Sequence, residues 1–486
     1  MKQTVLMTIL AAAFAAGQGT PVPKFTGPIP VTADSYPFLD AAHSLVPYDL
    51  SKYGYVEQEF IVSGNANVYD WAADGSLTVK TEKAPYAARI LVRRPATASK
   101  FSGAVVVEPM GAVRRFDWAI MYGYLNEHMM ERGDAWVGIT MPASADGLKK
   151  FNPTRYAAVN FANPNPGESC PGAKGGPSPM EEGLRFDLIS QVGALLKAAP
   201  ASSPFAGFRV EALYMTSQFP DVVTYLDAIH SHARLANGKP VYDGYMLRNP
   251  GAPGRLSNCG AAPAANDPRR IVAKVDAAVM EVVAQGEVPD SLAQRRPDSD
   301  EPGNRFRRYE FAGTAHIDRW AYDRGFPTFA DQAATGGNPQ GTPEFPLNAK
   351  CDPPFTFSTD TRLKYAYDAA LLNLDQWARK GKPAPRANPI EIKDGAVVLD
   401  EAGNGVGGVR SPWVDVPVAT YFPGTTPAAC REFGHTVEFD KARMDSLYGN
   451  DKNYQTKFAK SVDELVKAGW FTESDGRKMK AEAARR

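Results

Sequence analysis

The stretch GAVVVEPMG (Gly103–Gly111) is a run of branched apolar residues without polar alternation, bounded by glycine at both ends. A strand of this kind has no wet face, so it belongs at the centre of a sheet covered on both sides. From Trp118 to Arg132 apolar residues recur at helical spacing, Gly133 stops the helix, and DAWVGIT (Asp134–Thr140) is a second buried strand. Strand, helix, parallel strand is the unit of a doubly wound sheet.

The alternation continues along the chain. Glu181–Ala199 is predicted as a helix, EALYMT (Glu211–Thr216) as a strand and Asp221–Ala233 as a helix. Tyr242–Asn249, Asp276–Glu287 and Arg305–His316 are predicted as further strands, and Thr361–Gly381 as a long amphipathic helix. Ahead of this series, Phe60–Val79 and Ala88–Arg93 alternate apolar and polar residues, as antiparallel strands with one wet face do. The fold class expected is α/β, a mainly parallel sheet with antiparallel N-terminal strands and a mainly helical C-terminal appendage. The core is assigned to residues 20–385 and the appendage to 386–486. Pro142–Pro179, rich in Gly, Pro and Asn, is expected to be a long functional loop or lid.

Lys plus Arg (54) equals Asp plus Glu (54), so no net field favours nucleic acid or an anionic membrane. Met1–Gly19 has a positive start and an Ala-rich apolar run shorter than the roughly 20 residues a membrane span needs, the layout of a secretory signal peptide. Export, without a membrane span, is the expectation, to the periplasm or beyond the cell. Four cysteines in an exported chain suit two disulfides, taken as Cys170–Cys259 and Cys351–Cys430. No cysteine or histidine spacing suggests a metal site, and no cofactor motif is present.

In a doubly wound sheet, ligands bind beyond the carboxyl ends of the strands. Ser217, Glu287 and His316 follow three of those ends in the order serine, acid, histidine. A serine hydroxyl becomes a useful nucleophile once a histidine takes its proton, and a carboxylate fixes that histidine's tautomer. Asp290 is a second candidate for the acid. Two amides should face a developing oxyanion, one from Gln218 and one from Met110 or Gly111 after the first buried strand. His43, His128, His230, His232 and His435 lie away from the strand ends that matter, which leaves His316 as the base.

The segments RILVRRP, DWAIMYGYLNEHMMERGDAWVGIT, FDLISQVGALL, DVVTYLDAIH, RRPDSDEPGNRFRRYEFAGTAH, GGVRSPWVDVPVATY and CREFGHTVEFD resemble the secreted bacterial alpha/beta hydrolase domain-containing proteins. The resemblance spans Arg89 to Ala484 and implies a serine hydrolase whose appendage belongs to the same unit. It implies a nucleophile turn of the form G-x-S-Q, matched here by Ser217 and Gln218; the matching acid is Glu287, where the family more often has Asp, and AGTAH carries the family histidine. The glycine two before the serine is replaced by Met215, and Phe219 stands two after it. A strained turn favours small neighbours. Two readings follow: an esterase acting on small ester substrates, and a weak or inactive relative that binds a ligand in the inherited pocket.

Overall fold

The computed structural model describes residues 19–112, 114–170, 178–217, 221–248, 253–264, 266–337, 350–352, 354, 363–424, 430 and 433–485. The expected signal peptide lies almost wholly outside them, as does Gln218.

Short β1 (Lys24–Thr26) pairs with β2 (Tyr55–Trp71), which forms a long antiparallel hairpin with β3 (Leu77–Pro95). The parallel strands follow: β4 (Ala104–Pro109), β5 (Ala135–Ile139), β6 (Ala212–Ser217), β7 (Gly244–Arg248), β8 (Ala278–Ala284) and β9 (Phe306–Phe311). They assemble into one nine-stranded sheet in the order β1-β2-β3-β5-β4-β6-β7-β8-β9. β3 meets β5 antiparallel, and every pair beyond is parallel. The uninterrupted Val run does lie inside the sheet, with Val107 opposite Val137 on one side and Met215 on the other. Each residue of β4 through β9 is buried, as the lack of alternation required.

Helices cover both faces. α1 (Ile120–Arg132) ends at Gly133, whose φ of 82° closes the last turn on Met129 O. A side chain there would collide with Lys100 O at 2.1 Å, so both conformation and space demand glycine. α1 has no capping side chain of its own: Glu108, reaching from β4, accepts the Met121 and Tyr122 amides at 2.9 Å each. The carboxylate thus supplies from the sheet what an N-cap residue normally supplies locally.

The segment expected as a loop from Pro142 is instead helical at its start. α2 (Ala145–Phe151) follows a 3-10 turn at Pro142–Ser144, and Leu148 is fully buried in the main core. Its apolar positions are too few for helical periodicity to stand out against the Gly- and Pro-rich sequence around them. α3 (Arg185–Ala198) and α4 (Asp221–Ala228) meet through Ser190 Oγ and Tyr225 Oη at 2.9 Å. α5 (Arg319–Gly325) and α6 (Phe329–Ala334) follow β9, and α7 (Leu363–Lys380) packs against β7 and β8.

Beyond α7 come two small hairpins, β10–β11 (Ile392–Lys393, Ala396–Val397) and β12–β13 (Ala419–Phe422, His435–Glu438). α8 is Pro412–Asp415, α9 Lys441–Tyr448, α10 Asp451–Lys467 and α11 Glu473–Ala483. Trp413, Tyr454, Phe458 and Met479 from this part share one buried cluster with Val283, Val288, Ala312 and Tyr365. Val409 also pairs in parallel with Phe311, so the appendage meets the free edge of β9 at its carboxyl end. The cysteines pair as Cys170–Cys259 and Cys351–Cys430, with Cα atoms 4.7 and 5.8 Å apart.

Candidate active site

Ser217 is the last residue of β6, opposite Leu247 of β7, and is 2% exposed. Among the described residues, positive φ outside glycine occurs at Leu39, Lys83, Arg115, Ala199 and Asp394. Ser217 is not one of them: as the last residue of β6 its backbone is extended. Met215 fills the place of the missing glycine as a fully buried core side chain. α4 is held at its first residue by Arg185, whose Nε donates to Asp221 Oδ1 at 2.9 Å.

Glu287 ends the 3-10 turn Gln285–Glu287 immediately after β8 and is 5% exposed. His316 stands at the end of the loop after β9. Its Nδ1 lies 2.5 Å from Glu287 Oε1, a charge-assisted contact in which Nδ1–H donates. The other oxygen, Oε2, accepts the Ala284 amide at 3.0 Å. Both carboxylate oxygens are therefore committed, and the imidazole's second nitrogen, Nε2, is turned away from the acid. Asp290, the alternative acid, is exposed on the following 3-10 helix.

The two loops that carry acid and histidine are laced together. Gln285 Oε1 accepts the Gly313 amide at 2.7 Å, the Gln285 amide donates to Thr314 Oγ1 at 3.1 Å, and Gly286 N donates to Thr314 O at 3.2 Å. Thr314 Oγ1 in turn donates to Phe311 O at 2.6 Å. The appendage buttresses this lacing from outside, since a side chain at Gly405 would strike Gln285 Oε1 at 2.3 Å. β6 and β9 are three strand spacings apart, about 14 Å, so the loop Ala312–His316 must fold back across β8 for its histidine to serve the β6 end.

The amides expected from the β4 end are engaged elsewhere. Met110 N donates to Ile139 O at 3.0 Å and Gly111 N to Trp118 O at 2.8 Å, so neither faces a developing oxyanion. Gly111 is glycine for packing: an added Cβ would lie 2.3 Å from the Trp118 ring. Ala112, the next residue, makes no backbone hydrogen bond through its amide among the described residues. Backbone pairing with Ile139 and with Trp118 leaves no mark in the sequence, so local pattern alone points to Met110 and Gly111.

One residue at the site was not singled out from sequence. Arg248, the last residue of β7, is fully buried, and Nε, Nη1 and Nη2 have no hydrogen-bond partner among the described residues. Its Nη2 lies 3.9 Å from Glu287 Oε1, and its guanidinium carbon 5.5 Å from the Tyr124 ring centre. The signal was there in YDGYMLRN, a cation ending an otherwise apolar buried strand. Of the other histidines, His230 is tied to Tyr245 Oη at 2.7 Å and Asp276 at 2.6 Å beyond the end of α4, a structural role.

Among the described residues no helix is long and apolar enough to cross a membrane. Comparison with curated proteins returns no match. Solved structures with some likeness include a CE15 glucuronoyl esterase from Teredinibacter turnerae, 12% identical, covering 60% of this chain and 75% of that one at a TM-score of 0.30. A putative dienelactone hydrolase from Klebsiella pneumoniae is 12% identical over 56% of this chain and 95% of its own, at 0.27. An alpha/beta serine hydrolase without a lid from Xanthomonas campestris is 11% identical over 56% and 94%, at 0.26. These similarities are too loose to carry an argument about substrate. The family described as "Alpha/beta hydrolase domain" matches residues 25–481, the C-terminal segment included, and the chain belongs to that family.

Proposed function

We propose that the protein is an exported serine hydrolase that cleaves carboxylic esters of small molecules. The observation that carries this reading is the 2.5 Å contact between His316 Nδ1 and Glu287 Oε1, which fixes the histidine tautomer with Nε2 as the proton acceptor. Ser217 Oγ attacks the ester carbonyl while His316 Nε2 takes its proton, and the imidazolium that forms is stabilised by Glu287. The tetrahedral oxyanion is received by the amides of Gln218 and Ala112, the latter replacing the engaged amides of Met110 and Gly111. His316 then protonates the leaving alkoxide, and water repeats the sequence on the acyl-enzyme. The core at residues 20–385 and the appendage at 386–486 act as one unit, with the appendage buttressing the acid loop. Export is supported by the composition of Met1–Gly19 and by two disulfides.

The extended backbone at Ser217 favours a second reading, a weakly active relative that binds a ligand in the same pocket. Labelling with a fluorophosphonate probe, alongside turnover of p-nitrophenyl acetate and butyrate, separates the two. The hydrolase reading expects labelling that disappears in Ser217→Ala, with turnover falling on the order of 10⁴-fold or more. Absent labelling, or labelling that survives Ser217→Ala, overturns it.

A further inference from the structure

Where α1, α7 and α11 meet, away from the strand ends, three side chains converge. His128 of α1, Asp368 of α7 and Asp475 of α11 each bring one donor atom to a common point, all within 4.8 Å of one another. His128 is 5% exposed and the two aspartates 1% each. Among the described residues, His128 Nε2 and both carboxylate oxygens of Asp368 are buried without a hydrogen-bond partner. Asp475 takes one hydrogen bond from Thr472 Oγ1, at 2.5 Å. Unpaired buried polar atoms are costly, and three aimed at one point need a common partner.

The nearby cations do not fill that need. Lys364 Nζ is 3.9 Å from Asp368 Oδ2, beyond hydrogen-bond reach, and sits closer to Glu127 at 3.2 Å. Lys478 is matched to Glu131 at 2.8 Å and Glu127 at 3.4 Å. Two glutamates are thus the partners of the two lysines, and neither lysine hydrogen-bonds the buried aspartates. A single shared proton would serve one donor–acceptor pair and leave a further carboxylate oxygen unpaired. A cation would take the imidazole nitrogen and one oxygen from each carboxylate together. A surface cleft of about 630 Å³, lined in part by His128, Thr472 and Ser474, offers a route for the ion and a source of water.

We propose that this joint is a divalent-metal site, best suited to Zn²⁺, with His128, Asp368 and Asp475 as its three protein ligands and water as the fourth. One imidazole and two carboxylates are a donor set that zinc accepts at tetrahedral geometry. His128 lies one turn, about 6 Å along the helix, from Tyr124, on the side away from Arg248, so the ion takes no part in the serine chemistry. Its role is to clamp α11 onto α1 and α7, tying the end of the chain to the core. The three ligands come from three distant helices, so no spacing in the sequence announces them.

The test uses the full-length protein purified without added metal. Its metal content is measured by mass spectrometry, and its melting temperature is then followed after treatment with EDTA and after return of Zn²⁺ or Mg²⁺ as chlorides. The expected result is close to one equivalent of Zn²⁺ retained per chain. Melting should fall by several degrees on chelation and be restored by Zn²⁺ but not by Mg²⁺. In Asp368→Asn and in His128→Gln the response to Zn²⁺ should vanish. Identical melting of wild-type protein with EDTA and with Zn²⁺, together with no retained metal, overturns the proposal. So does an Asp368→Asn protein that melts at or above wild type, the outcome a shared proton would give.

Discussion

Arg248 Nη2 lies 3.9 Å from Glu287 Oε1, the same oxygen that faces His316 Nδ1 at 2.5 Å. The gap is too long for a hydrogen bond, so the guanidinium acts on the pair through its field. Arg248 is fully buried, and its charge beside Oε1 restrains the carboxylate that orients His316. Arg248→Met should therefore lower kcat/KM roughly tenfold to a hundredfold, while Arg248→Lys recovers part of the loss. Equal kcat/KM for wild type and Arg248→Met would exclude this role.

Glu287 Oε1 faces His316 Nδ1 at 2.5 Å, which makes Glu287 the acid of the proposed triad. Glu287→Gln keeps its shape but presents a neutral amide to Nδ1, and kcat should drop on the order of 10³–10⁴-fold with little change in melting temperature. Asp290→Asn, on the exposed helix, should leave kcat within about twofold. Steady-state kinetics on p-nitrophenyl butyrate reads both, and a large loss in Asp290→Asn with activity kept in Glu287→Gln would reverse the assignment.

Burial pushes the Glu108 carboxyl from its ordinary 4.5 up to about 7, against the hydrogen bonds from Met121, Tyr122 and Trp136 that favour its ionised form. Between those two values the native chain holds a proton that the unfolded chain has lost. Stability from this group is thus fully present below about pH 4.5 and declines as pH rises to about 7, with no further loss above. Glu108→Gln should flatten this part of the profile, reducing the loss between mildly acidic and mildly alkaline pH by up to about 3 kcal/mol. Urea unfolding of both proteins across that range is the measurement, and equal pH slopes would remove Glu108 as the source.

Cys351–Cys430 links the chain ahead of α7 to the segment between β12 and β13, across 79 residues. A closure of that length restricts the unfolded chain substantially. The double variant Cys351→Ser/Cys430→Ser should be less stable by about 2–4 kcal/mol, seen as a lower urea midpoint. A midpoint equal to that of the oxidised wild-type protein would show that the bridge contributes nothing.

Much of this architecture can be read one residue after another. The unbroken Val run before Pro109, the strand–helix–strand unit that follows it and the order of Ser217, Glu287 and His316 are properties of local pattern and chain order, which survive into the sheet because period and burial are coupled. The four cysteines could likewise be paired from where they lie along the chain. Occupancy of donors and acceptors is a different matter. That Trp118 and Ile139 consume the amides of Gly111 and Met110, that Ser217 stays extended, that Arg248 comes to lie against Glu287, and that His128, Asp368 and Asp475 meet were all decided in three dimensions. Each depends on which groups from remote segments reach one another once the core closes. Hydrophobic burial, which dictates the closing, does not specify where the last hydrogen bonds go.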